Sequence, residues 1–249
     1  MPRIGARKLH YLLTDTLQQH GISIGRDKFF DLLEVYGLLI RKRKRKKIYT
    51  TDSRHRYNRY PNLIRELEVI SADKLWVSDI TYICLRDDFA YLSLITDAYS
   101  RKIVGYCLYP SLEKQGPLNA LDMAMQSYNG NKDNRLIHHS DRGIQYCCND
   151  YIDKLTCNSI CISMTEKGDP YENAMAERVN GILKDEFGLS QVFDNYQTAQ
   201  TAVDIAIETY NNHRPHASCD YLTPVQAHQM QGLIKKRWNK KERVNLFQD

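Results

Sequence analysis

The chain has 249 residues, 42% of them hydrophobic and 26% charged, with seven cysteines and a formal net charge of +5. That composition excludes a disordered chain, and no apolar run approaches the ~18 residues that span a bilayer. The mild total conceals a basic head, with 15 Lys+Arg against 5 Asp+Glu in residues 1–60, an acidic middle, with 14 against 23 in 61–234, and a basic tail, with 6 against 2 in 235–249.

Head and tail suit a polyanionic partner, whereas the acidic middle needs another explanation. The cysteines are odd in number and irregularly spaced, and the stretch from Met1 to Gly5 has no apolar signal-peptide core. Reduced thiols and a cytoplasmic location are the expectation. Cys157 with Cys161 and His213 with His216 are zinc-ligand types, but no CxxC pair accompanies them, so buried thiols are the preferred reading.

Residues 4–36 carry two apolar series at helical spacing. The first is Ile4, Leu9, Leu12, Leu13 and Leu17; the second is Phe29, Phe30, Leu32, Leu33 and Tyr36, stopping at Gly37. The pair reads either as a helix-turn-helix or as a plain helical hairpin. Seven consecutive cations follow: Arg41, Lys42, Arg43, Lys44, Arg45, Lys46 and Lys47. Charges this dense cannot fold inward. They form a solvated linker or a phosphate-neutralising run.

From residue 75 the period changes. Leu75–Cys84, Phe89–Thr96 and Lys102–Tyr109 are rich in β-branched and aromatic residues and have short turn-like connections, which predicts an antiparallel meander. A helix over 117–128, a strand over 135–140, a helix over 145–155, a short strand over 160–163 and helices over about 171–187 and 196–212 complete a mixed α/β layer with parallel crossovers.

Three acidic residues stand out within this pattern. Asp79 lies in mid-strand among apolar neighbours, where an unpaired charge is costly. Asp141 follows the 135–140 strand, and strand ends are where α/β folds place ligand-handling groups. Glu177 sits in mid-helix, on one face with Asn173, Asn180 and Lys184, and opposite Met175, Val179, Ile182 and Leu183. Taken alone, that helix face reads as solvated surface. Taken together, two strand carboxylates and one helix carboxylate form an oxygen-only donor set suited to Mg²⁺ or Mn²⁺. Such a set serves two-metal phosphodiester chemistry.

Asp79 in Trp76–Tyr82, Asp141 in His139–Tyr146 and Glu177 in Glu172–Glu177, with 35 residues between the last two, resemble the DDE triad of retroviral-type integrases and transposases. The second-frame protein (OrfB) of two-frame bacterial insertion sequences is the group most resembled. Lys184, the segment Ile4–Leu38, and Tyr210–His216 with Leu222–Pro224 match further motifs of that group, so the likeness covers residues 4–228.

The resemblance implies an α/β, RNase H-like integrase core with a mixed five-stranded sheet, preceded by a small all-α helix-turn-helix domain. The implied division is 1–40 (helix-turn-helix), 41–70 (basic linker), 71–228 (catalytic core) and 229–249 (basic tail). Asp79, Asp141 and Glu177 would hold two Mg²⁺ or Mn²⁺ ions for 3′-end nicking and strand transfer. Lys184, Arg178 and Asn173, and on the N-terminal domain Arg26 and Lys28, would contact DNA; His139 is read either as facing the site or as structural. The implied partners are element ends and target DNA, further copies of the chain, and the first-frame (OrfA) protein as partner or fusion. The implied location is the cytoplasm, at the nucleoid, with no membrane. An alternative is a DNA-binding regulator that is inactive without the first-frame region, and another is a nuclease of the same fold that cannot carry out strand transfer.

Overall fold

The computed structural model describes residues 1, 3–40, 56–128, 135–166, 173–235 and 237. The expected phosphate-neutralising run Arg41–Lys47 and most of the basic tail lie outside the described residues. Two helices open the chain, α1 (Ala6–Gln19) and α2 (Arg26–Val35). They are followed by the meander β1 (Leu75–Leu85), β2 (Phe89–Asp97) and β3 (Ile103–Tyr109). Next come α3 (Gln115–Gln126), β4 (Ile137–Ser140), α4 (Ile144–Cys147), α5 (Asn149–Cys157) and β5 (Cys161–Met164). The remaining elements are α6 (Ala174–Glu186), β6 (Val192–Phe193), α7 (Tyr196–His213) and α8 (Pro224–His228). No described helix is long and apolar enough to cross a membrane.

The sheet order is β3-β2-β1-β4-β5, with β6 also paired to β1. The meander is antiparallel, while β4 and β5 join in parallel by crossovers. Alternation along β1 sends Trp76 and Ile80 into one apolar layer, with Leu118 and Leu121 of α3 and Tyr151 of α5. It sends Ile83 into the other layer, with Val179, Ile182 and Leu183 of α6 and Val203 and Ile207 of α7. Helices therefore cover both faces. At Gly105 of β3 a Cβ would lie 2.1 Å from the Ala120 carbonyl oxygen, so only glycine admits α3 at this distance.

Along one edge of β1 the pairing is interrupted. β4 pairs with Leu75 to Val77, and β6 joins at Cys84 and Leu85. Residues 78–83 face a gap between these two described strands, and Asp79 lies in it.

Two departures from the sequence pattern have local causes. The helix expected over 145–155 is broken at Cys148, whose backbone is extended. Five residues apart on one helix, Tyr146 and Tyr151 would point about 140° apart; the break lets both turn inward and pack edge to face at 5.4 Å. The linker expectation also ends early. Ile64, Leu67 and Val69 pack against Leu75, Val77 and Ala176, and Leu63 N–H donates to Ser163 Oγ at 2.9 Å. Apolar residues at this spacing bury once a sheet face is available.

Arg214, in the expected C-terminal signature, is 1% exposed. Its guanidinium grips Glu186 at the end of α6 with two 2.8 Å bonds and donates to His216 Nε2 at 2.7 Å. Burial, then the Arg214 charge, push the His216 pKa well down, so the ring is neutral and accepts. Burial works against the Glu186 anion, but Arg214 and then Lys8 hold its pKa below the usual value. Lys8 reaches Glu186 from α1 at 3.0 Å, and Tyr11 stacks on Tyr221 at 4.5 Å. One carboxylate therefore ties α1 and the C-terminal signature to α6. Arg214→Ala leaves Glu186 without its main partner, and an unfolding titration should register a loss of about 3–5 kcal/mol.

Candidate active site

Asp79 points from the gapped edge of β1 toward α6. Its Oδ1 accepts the Ile80 N–H at 2.9 Å and its Oδ2 accepts Asn180 Nδ2 at 2.7 Å. One residue earlier, the Ser78 carbonyl accepts Asn173 Nδ2 at 3.0 Å. Two turns of α6 thus lean on consecutive residues of β1 through asparagine amides, and Glu177 lies between them. Both asparagines are buried, at 7% and 6% exposed, and neither Oδ1 has a hydrogen-bond partner among the described residues.

Asp141 lies one residue beyond β4. Its Oδ1 accepts the Gly143 N–H at 2.9 Å, and a Cβ on Gly143 would sit 3.0 Å from that oxygen. A compact turn therefore starts α4 directly at the carboxylate.

Electrostatics join the three acids. Burial, followed by the Asp141 charge, pushes the Asp79 pKa up to about 7, with Glu177 adding a smaller push in the same direction. The hydrogen bonds from Asn180 and Ile80 oppose the shift without reversing it. A carboxylate in this state is destabilised as an anion and gains from a nearby cation. The donors are all oxygen, and each carboxylate has about four lone-pair sites, more than these contacts use. The set fits a hard dication in charge and donor type. Among the described residues, however, no three His, Cys, Asp or Glu side chains are gathered into a metal-holding group. The three acids form a coupled neighbourhood, with Glu177 on an exposed helix position.

Neighbouring histidines support the two strands. His138 Nε2 lies 2.6 Å from Ser78 Oγ and 2.9 Å from the Tyr151 hydroxyl. Burial, then His139, push the His138 pKa down to about 3, so a neutral ring links β1, β4 and α5. His139 is fully buried with Nδ1 2.8 Å from Ser163 Oγ, joining β4 to β5.

The expected DNA-contacting residues divide. Lys184 lies with Nζ 3.7 Å from the Tyr82 ring centroid, at the same strand gap. Arg178 is exposed on α6, and Arg26 and Lys28 are exposed in the first turn of α2, where Arg26 pairs with Asp27 at 2.8 Å. Asn173 is turned inward onto Ser78, a different use from DNA contact, because the residue opening α6 faces β1. Residue order does not single out Asn180 or His138 as site residues. It shows that Asn180 shares the Glu177 face, but not which side of that face meets the sheet.

The integrase core domain family matches residues 71–170, and a second family of the same description matches 158–224. The 31 kDa protein of insertion element IS600 from Shigella sonnei is 35% identical over 214 residues, covering 85% of this chain and 78% of that protein. The transposase for insertion sequence element IS629 from Shigella sonnei is 31% identical over 211 residues, with coverage of 85% and 70%. The transposase for IS904 from Lactococcus lactis is 30% identical over 223 residues, with coverage of 85% and 83%. Among solved structures, the HTLV-2 integrase catalytic core domain aligns with a TM-score of 0.51 at 18% identity, over 64% of this chain and 97% of that one. A chain of the simian T-cell lymphotropic virus intasome in complex with PP2A regulatory subunit B56 gamma aligns at 0.55 and 18%, over 95% and 79%. At such identities the structural likeness concerns the fold, the RNase H-like integrase core.

The raised pKa has a consequence for stability. Metal-free folded protein holds a proton on Asp79 up to about pH 7, whereas the unfolded chain releases it near 3.8. That contribution is complete at low pH and is lost as pH rises through 7. Asp79→Asn should therefore raise the metal-free melting temperature at pH 8, with the gain shrinking toward pH 4 in parallel thermal scans.

Proposed function

The chain belongs to the integrase-core transposases of bacterial insertion sequences, polynucleotidyl transferases of the DDE type, and on that footing we propose that Asp79, Asp141 and Glu177 are its catalytic triad. The reaction is nicking at the 3′ ends of the element, followed by attack of the freed 3′-hydroxyl on target DNA. What supports this reading best is the placement of Asp79 at the gap in β1, bonded to Asn180 three residues after Glu177 on α6 and beside the end of β4 that leads into Asp141, with both acids adding to the rise in its pKa. A neighbour in fold, the HTLV-2 integrase catalytic core domain, is described in complex with magnesium.

The three carboxylates would hold Mg²⁺ or Mn²⁺, two ions per site. When bound, the ions supply Lewis-acid chemistry for phosphodiester attack and for departure of the leaving oxygen. The chain's own residues do the rest. Asn180 and the Ile80 N–H each hold one oxygen of the Asp79 carboxylate, which fixes its orientation and leaves further lone pairs on both oxygens. Asn173 and Asn180 hold α6 against β1, which sets the reach of Glu177. Lys184 and Arg178 carry positive charge on the same helix and take DNA phosphates, which position the duplex without reading it. The helix pair α1 and α2, with Arg26 and Lys28 exposed, is the reader of element ends, and Arg41–Lys47 adds phosphate contacts. Joining two ends requires at least two copies on DNA, with the first-frame protein as partner or fusion.

Asp79→Asn, Asp141→Asn and Glu177→Gln should each abolish divalent-dependent nicking of end DNA while gel-shift affinity stays close to wild type. Near-normal cleavage by any one of them would remove that residue from the triad. Neutralising Arg41–Lys47 should flatten the dependence of log affinity on log salt, by up to roughly one unit for each phosphate the run neutralises. An unchanged slope would reduce the run to a linker.

A further inference from the structure

Tyr146 belongs to none of the roles described so far. It lies on α4, five residues after Asp141, and is 3% exposed. Its hydroxyl is buried and has no hydrogen-bond partner among the described residues. The ring is held on two sides, edge to face against Tyr151 at 5.4 Å and tilted against His138 at 6.2 Å. Its backbone N–H donates to the Gly143 carbonyl at 3.0 Å, and Gly143 N–H is the donor to Asp141. The phenol is therefore rigid and tied to the turn that carries Asp141.

Burial raises the Tyr146 pKa, then Tyr151, and then the charges of Asp79 and Asp141. Both carboxylates are thus electrostatic neighbours of this ring. A buried O–H donor without an acceptor costs free energy, and native proteins rarely leave one so. Phenylalanine would fill the same apolar space at no such cost. Asp79 and Asp141 are the charged acceptors that act on the ring, and their hydrogen bonds include those from Ile80, Asn180 and Gly143.

We infer that Tyr146 is a positioning residue whose hydroxyl donates to a carboxylate oxygen of Asp79 or Asp141 when the acids close around a divalent cation. In the cation-free arrangement the hydroxyl has no hydrogen-bond partner among the described residues. On closure the carboxylates turn, one oxygen faces the ring, and the bond fixes the orientation of the remaining lone pairs. Donors behind metal-binding carboxylates act in this way, and their loss typically weakens metal affinity or activity about 10–100-fold. The inference rests on the proposed triad.

The test is Tyr146→Phe in the full chain, compared with wild type and Asp79→Asn. Mn²⁺ affinity is measured by calorimetry, and melting temperature is recorded without and with Mn²⁺. For Tyr146→Phe the expected result is an unchanged or higher melting temperature without Mn²⁺, together with Mn²⁺ affinity weakened about tenfold or more. End-DNA affinity without a divalent cation stays at the wild-type level. A lower melting temperature without Mn²⁺ would mean that the hydroxyl already serves the fold, and would overturn the inference. So would wild-type Mn²⁺ affinity in Tyr146→Phe while Asp79→Asn loses binding. If Asp79→Asn itself binds Mn²⁺ as wild type does, the triad reading fails first and this inference falls with it.

Discussion

A carboxylate placed in mid-strand under a helix is an unstable anion, and the architecture of this chain is organised around tolerating one. Asp79 is pushed up to about 7 by burial and by Asp141, yet it retains hydrogen bonds from Asn180 and the Ile80 backbone. Those two bonds orient it without neutralising it. β4 pairs with β1 only as far as Val77, which opens the edge where Asp79 sits and delivers Asp141 from the end of the departing strand. Complete pairing along β1 would have closed the side from which a cation or a phosphate could approach. Local strand pairing is given up at the edge where Asp79 sits.

α6 must reach over that gap with a fixed angle, and both of its ends are secured. At its start, Asn173 donates to the Ser78 carbonyl, and at its last residue Glu186 is gripped by buried Arg214. The C-terminal signature therefore acts at a distance from the carboxylates, as a brace on the helix that carries Glu177. Because Lys8 shares Glu186 with Arg214, the first helix of the chain bears on the same point. A rearrangement of α1 would be felt at the end of α6 through a single carboxylate.

Much of this is readable from residue order. The meander from Leu75 to Tyr109 and the crossovers to β4 and β5 follow from β-branched runs, turn residues and period, and the structure has them. The acids stand out because Asp79 occupies a mid-strand position that disfavours an unpaired charge and Asp141 follows a strand end, where α/β folds place ligand-handling groups. The wheel of α6 places Val179, Ile182 and Leu183 correctly, since all three enter the core. It misleads for Asn173 and Asn180, which periodicity sets among polar neighbours on a water-facing stripe and the fold turns onto β1. Hydropathy patterns treat every asparagine as solvated, and nothing local says that a strand carbonyl and a carboxylate wait opposite. The short helix α8, with its Thr223–Gln226 capping box, is too brief to show a period.

Residue order alone determined the fold class and the family likeness, and it singled out Asp79, Asp141 and Glu177 as candidates, because those depend on period, spacing and residue type along one dimension. It also determined the opposition of basic ends and acidic middle. Only the tertiary structure decided which partner each buried polar group takes: Asn180 for Asp79, His138 between Ser78 and Tyr151, Arg214 for Glu186, and, among the described residues, none for the Tyr146 hydroxyl. The physical reason is that a buried hydrogen bond or ion pair joins residues distant in sequence, 101 positions apart for Asn180 and Asp79. Its energy depends on how closely packing excludes water, and no local pattern encodes that.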